Sequence, residues 1–207
     1  MFFFDYVRSF TVAFICLSNV SCINTQPRID YGSIEAFSTR GDLQMVVEIP
    51  AGTNKKIEYD HDKNNFPIDI KNGEERIIDF LPYPGNYGFV PSTMMNRMQG
   101  GDGDALDVLV LSEHAPTQSV LEIIPIALLS LLDNGEIDYK IVAVPVDPVR
   151  RVIDAVSLSD LTTKYPNLQQ IIELWFTSYK GPGVIEFNGW ANEHTATTEI
   201  EKWLVPK

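Results

Sequence analysis

The sequence predicts an α+β fold, mainly β: a mostly antiparallel core of short strands, fitting a small barrel, flanked by two C-terminal helices. Three observations carry this. Apolar runs of strand length alternate with turn residues through the first three quarters of the chain. Two of the turns, Asn72-Gly73 and Asn134-Gly135, have the Asn-Gly pair that suits a two-residue hairpin. Helical periodicity is confined to the C-terminal part.

Taken in order, QMVVEIP (residues 44–50) is a short apolar strand stopped by proline. In AGTNKKIEYDHD a turn leads into a strand whose period of two puts Lys56 and Glu58 on one face. KNGEERIIDF carries the first hairpin signal. LPYPGNYGFVP reads as a turn-rich aromatic loop in which Gly and Pro hold two tyrosines in place. DVLVL and SVLEIIPIALLSLLD are strands, and LLDNGEIDYKIVAVPV is the clearest hairpin in the chain. In PNLQQIIELWFTSYKG, residues Leu168, Ile171, Ile172, Trp175, Phe176 and Tyr179 share one helical face, and Gly181-Pro182-Gly183 ends the helix. A last helix begins near Asn192 and turns Ala196, Ile200, Trp203 and Leu204 inward.

The first 22 residues resemble a secretory signal. A single basic residue, Arg8, precedes an apolar core from Phe10 to Leu17, too short to span a bilayer, and small and polar residues lead to Cys22. Ser21-Cys22 resembles the lipobox of bacterial lipoproteins, whose cysteine takes a lipid, although Asn19 stands where a leucine is usual. The expectation is an exported or membrane-anchored lipoprotein, touching the membrane only through a lipid on Cys22, with a cytoplasmic location as the alternative. Residues 23–43 read as a polar tether and residues 44–207 as the functional domain, long enough for a substantial core. The net charge of −12 argues against a general nucleic-acid binder. Both cysteines, Cys16 and Cys22, lie in the N-terminal segment, so the body holds neither a disulfide nor a thiolate zinc site. The three histidines, His61, His114 and His194, are isolated and read as surface or loop residues.

The chemistry concentrates in GGDGDALDVLVL. Asp102, Asp104 and Asp107 fall within six residues at the mouth of an apolar strand, with glycines that let the backbone bend until the carboxylates converge. Like charges this close repel, and an all-oxygen cluster without His or Cys suits a hard divalent cation. Asp133 and Asp138 flank the Asn134-Gly135 turn, and Lys140 shares a strand face with Asp138. Glu48, Lys56, Glu58, Arg76 and Lys180 are further charges set against apolar or aromatic positions. An EF-hand fails because the loop starting at Asp102 has Asp107 where glycine is required. An aspartyl-nucleophile phosphatase fails because the apolar strand follows the motif instead of preceding it.

These residues resemble the family I soluble inorganic pyrophosphatases over about residues 44–207. DGDALDVLV resembles the D-x-D-x-x-D signature, and VVEIP with KIEY resembles the opening strands. YPGNYGFVP resembles the Y-P-x-N-Y-G segment, with Tyr83 and Tyr87. DNGEIDYKIVAVP resembles the D-x-x-x-x-D-x-K hairpin, and SYKG the late Tyr-Lys pair, Tyr179 and Lys180. The resemblance implies an OB-like closed five-stranded antiparallel barrel and metal-dependent hydrolysis of pyrophosphate to two phosphates. It implies Mg²⁺, several ions per subunit, with Mn²⁺ or another divalent ion as a substitute, and a homo-oligomer, hexamer or dimer. By the same resemblance Asp102, Asp107, Asp133 and Asp138 hold metal, helped by Glu58. Asp104 is the base. Lys56, Arg76, Tyr87, Lys140, Tyr179 and Lys180 hold the phosphates, and Glu48 and Tyr83 complete the site. In many members the step from the arginine to the first tyrosine of the Y-P motif is eight residues, and from Arg76 to Tyr83 it is seven.

Pyrophosphate is a polyanion that repels a water nucleophile. Divalent cations acidify that water, a nearby carboxylate takes its proton, and cationic side chains offset the charge on the leaving phosphate. Bound cations also reverse the local field, which reconciles an anionic substrate with an acidic protein. The alternative is a non-enzymatic exported Ca²⁺-binding protein, which accounts for the acids and leaves the lysines, Arg76 and the placed tyrosines without a role.

Overall fold

A computed structural model of the chain describes residues 29–206, so the signal-like segment and Cys22 lie outside the described residues. The strands are β1 (Leu43–Ile49), β2 (Ile70–Lys71), β3 (Glu74–Glu75), β4 (Asn86–Phe89), β5 (Asp107–Val110), β6 (Val120–Asp133), β7 (Glu136–Pro145) and β8 (Ile185–Asn192). The helices are α1 (Leu158–Lys164), α2 (Pro166–Ser178) and α3 (Glu193–Lys202). The main sheet runs β1-β4-β5-β7-β6-β8, and a further β1–β6 pairing closes five of its strands into a ring. β8 extends the sheet outside the ring along β6.

The expected all-antiparallel arrangement is corrected at one pair, because β5 and β7 are parallel. β6 carries the chain back to the end where β5 began, so β7, antiparallel to β6, runs in the direction of β5. Both hairpins form where the Asn-Gly pairs stand. Asn72 and Gly73 have φ of 57° and 86°, and Asn134 and Gly135 have 53° and 87°, the left-handed values such turns require. Pro125 interrupts β6 at a bulge, between the residues that β1 pairs and those that β8 pairs.

Successive residues of β5 and β7 enter two different clusters. Val108, Val110, Ile141 and Ala143 pack in one with Ala196, Ile200 and Trp203 of the α3 region. Leu109, Val142 and Val144 pack in the other with Ile172, Trp175 and Phe176 of α2. Strands buried on both faces need no polar alternation, hence VLVL and IVAV.

Four local expectations differ from the structure. The Lys56–Glu58 segment makes isolated bridges, Lys55 with Ile77 and Ile57 with Ile68, because Pro67 has no N–H to extend the ladder. The Tyr-Pro-Gly segment contains a central strand, β4. Gly88 passes so near β1 that a Cβ there would lie 1.9 Å from the Val46 carbonyl oxygen. The C-terminal helices number three, with α1 capped by Ser157, whose hydroxyl accepts from the Asp160 amide at 3.0 Å. Ile171 faces solvent on α2, at the margin of a face centred on Ile172, Trp175 and Phe176. Within the stretch read as a tether, Tyr31 and Ala36 are buried against the body. No helix among the described residues is long and apolar enough to cross a membrane.

Candidate active site

The acidic loop is held by its own backbone. Asp102 Oδ1 accepts from the Asp104 amide at 2.9 Å, while Gly103 and Asp104 exchange bonds with both sides of Met95. Asp107 opens β5, and the parallel register places it beside Lys140 of β7. Asp138, two residues earlier, projects from the same face. The Lys140 ammonium therefore meets both the Asp107 and the Asp138 carboxylates. The rings of Tyr83 and Tyr87 pack 5.1 Å apart, and the ammonium groups of Lys56 and Lys140 lie 5.6 and 5.7 Å from the centre of the Tyr87 ring.

The remaining residues line two clefts. One, of about 370 Å³, takes Glu48, Lys56, Glu58, Asp102, Asp104 and Asp107. The other, of about 660 Å³, takes Arg76, Asp133, Tyr179 and Lys180. The residues singled out from sequence thus line these clefts or belong to the Tyr83, Tyr87 and Lys140 group, with Asp138 joined to it through Lys140. The cations and acids pair: Lys56 with Glu58 at 2.9 Å, Lys180 with Asp133, and Arg76 with Asp69 at 3.1 Å.

Burial raises the Asp102 and Asp104 carboxyls above the usual range, and neighbouring carboxylates add to it. Burial pushes Glu48 up to about 8, against the lowering effect of Lys56 and of the Tyr59 amide. Burial alone would lower Lys140, but Asp107 and Asp138 outweigh it and hold the ammonium well above its ordinary value. The phenols of Tyr87 and Tyr179 are raised by burial and so stay protonated as donors.

The donors suit a hard divalent cation, since carboxylate oxygens dominate the first cleft and no thiol lines it. Among the described residues no three His, Cys, Asp or Glu side chains stand together as a ready ligand group. The ion pairs turn Glu58, Asp107, Asp133 and Asp138 toward lysines.

Sequence reasoning missed Asp69, Tyr59 and the place of His61. Hairpin arithmetic would have found Asp69, since a turn at Asn72-Gly73 sets it opposite Arg76, whose amide donates to the Asp69 carbonyl at 2.7 Å. Tyr59 donates its amide to Glu48 Oε1 at 2.7 Å and lines the first cleft. His61, exposed as expected, lines that cleft as well. Neither had a pattern to betray it.

A family model described as inorganic pyrophosphatase matches residues 45–205. An inorganic pyrophosphatase of Synechocystis sp. is 34% identical over 179 residues, covering 84% of this chain and 96% of its own. One from Neisseria meningitidis serogroup B is 35% identical over 171 residues, 79% of this chain and 89% of that protein. Among solved structures, inorganic pyrophosphatase from Thermus thermophilus aligns with a TM-score of 0.72 at 27% identity, over 85% of this chain and 97% of its own. That from Neisseria gonorrhoeae aligns with a TM-score of 0.70 at 32% identity, over 84% and 97%.

Proposed function

The chain belongs to the inorganic pyrophosphatase family, and from that premise we infer that it hydrolyses inorganic pyrophosphate to two phosphates in a divalent-metal-dependent reaction. The observation that supports this best is the pairing of Lys56, Lys140 and Lys180 with Glu58, Asp107, Asp138 and Asp133. Ammonium groups bind phosphate oxygens, and carboxylates bind hard cations. The two sets pair with each other, and a metal pyrophosphate carries a counter-charge for each: cations for the acids and phosphate oxygens for the lysines.

Asp102 and Asp107, with Glu58, in the first cleft, Asp138 beside Lys140, and Asp133 in the second cleft would hold the metal ions, for which we propose Mg²⁺, several per subunit. Bound there, the cations would acidify water and offset phosphate charge. Asp104 lines the same cleft with its carboxyl held above the usual range, which suits a group that takes up the proton of the attacking water. Lys56 and Lys140, over the Tyr87 ring, orient one phosphate, and Arg76, Tyr179 and Lys180 receive the other across the second cleft. The non-enzymatic Ca²⁺-binding alternative has no support, because it leaves the paired lysines idle and the relatives named above are all pyrophosphatases. Export and lipidation at Cys22 remain a proposal, read by mass spectrometry of the native N-terminus; an intact Met1 overturns it.

The deciding experiment is phosphate release from pyrophosphate with Mg²⁺. Steady turnover is expected, and a well-folded chain releasing no phosphate overturns the reading.

A further inference from the structure

The region ahead of the family match packs against Tyr59, a residue that lines the first cleft. Residues Tyr31–Ser33 form a 3-10 turn capped by Asp30. Tyr31 is buried, with its ring edge-on to Phe66 at 4.9 Å and to Tyr59 at 6.1 Å. The phenol of Tyr59 accepts from the Gly32 amide at 2.9 Å and donates to Asn64 Oδ1 at 3.0 Å. Asn64 closes the arrangement: its Oδ1 also accepts from the Tyr31 amide at 3.3 Å, and its Nδ2 donates to the Ile29 carbonyl at 2.8 Å.

Tyr59 faces the reaction side too. Its ring stacks on Phe89 at 5.6 Å, and Phe89 stands opposite Asp107 in the β4–β5 register. Its amide holds Glu48, which shares the cleft with Lys56, Asp104 and Asp107. One residue thus links the N-terminal turn to the acids of the cleft, through a ring clamped on one side and a backbone donor on the other. Side chains placed by such contacts are what a tightly oriented site depends on.

We propose that Tyr31 is a positioning residue for hydrolysis: the 29–33 segment clasps Tyr59 and thereby fixes Glu48 and the wall of the first cleft. The segment is part of the active site's support, although no residue in it touches substrate. This rests on the pyrophosphatase reading above.

The test is steady-state kinetics of the full chain and of Tyr31→Ala, Tyr31→Phe and Asn64→Gly, each assayed where circular dichroism shows it folded. Asn64 has a φ of 48°, which glycine adopts freely, so that variant removes the Asn64 side-chain bonds to Tyr31, Tyr59 and Ile29 without backbone strain. The expected result is a kcat lowered roughly three- to tenfold in Tyr31→Ala and Asn64→Gly, with KM for pyrophosphate nearly unchanged, as loss of orientation predicts. Tyr31→Phe keeps the ring and restores kcat. Variants that lose only thermal stability, or that raise KM with kcat intact, overturn the clasp. A parent chain inactive on pyrophosphate overturns the reading beneath it, whereas an active parent with equally active variants overturns the clasp alone.

Discussion

Asp104 and Glu48 line one cleft and are both raised by burial, yet their environments give them different work. Asp104 sits in the turn that Asp102 closes, where a proton acceptor can meet water. Asp104→Asn should lower kcat by about 10²- to 10⁴-fold, the usual span for a lost general base, while Mg²⁺ affinity changes little. Kinetics paired with metal titration checks this, and unaltered turnover removes Asp104 from the role. Glu48 is the group to follow by pH in the metal-free protein. Its folded pKa of about 8 exceeds the 4.5 of an ordinary glutamate, so between those values the folded state binds the proton that the unfolded state has released. Stability from this residue is present below that window and is lost as pH rises through it. Denaturant unfolding should show that decline, and Glu48→Gln should flatten it.

At the scale of elements, the site is an outcome of strand pairing. β1 carries Glu48, β4 carries Tyr87, β5 carries Asp107 and β7 carries Asp138 and Lys140, and each pairs with a neighbour in the ring. Gly88 marks the tightest junction. Gly88→Ala would drive a methyl against the Val46 carbonyl and should cost about 3 kcal/mol, read as a lower urea midpoint, with activity falling because Glu48 and Tyr87 separate. A midpoint unchanged from the parent would show that β1 and β4 yield at no cost. The same junction explains why β4 was hidden. Proline and glycine density reads locally as turn, whereas glycine here serves a close backbone approach between strands. The Asn-Gly hairpins were visible because their requirement, two left-handed residues in succession, is local.

For the molecule as a whole, the ion pairs across the clefts make a prediction about metal removal. Chelation should take pyrophosphate hydrolysis to background while far-UV circular dichroism and the melting temperature hardly change, since lysines balance the acids in the metal-free state. Mg²⁺ should restore the rate. Full activity after stripping would sink the mechanism, and unfolding would show that the lysines do not suffice. By itself the sequence determined what depends on neighbours along the chain: the acidic loop, both hairpins and the centres of the buried faces of the last two helices. Tertiary structure alone decided the partners. Asp107 meets Lys140 across 33 positions and Lys180 meets Asp133 across 47. Those meetings hang on the parallel β5–β7 pair and on the packing of α2 against β8, and such long-range pairings are chosen by how the whole core closes, not by any local pattern.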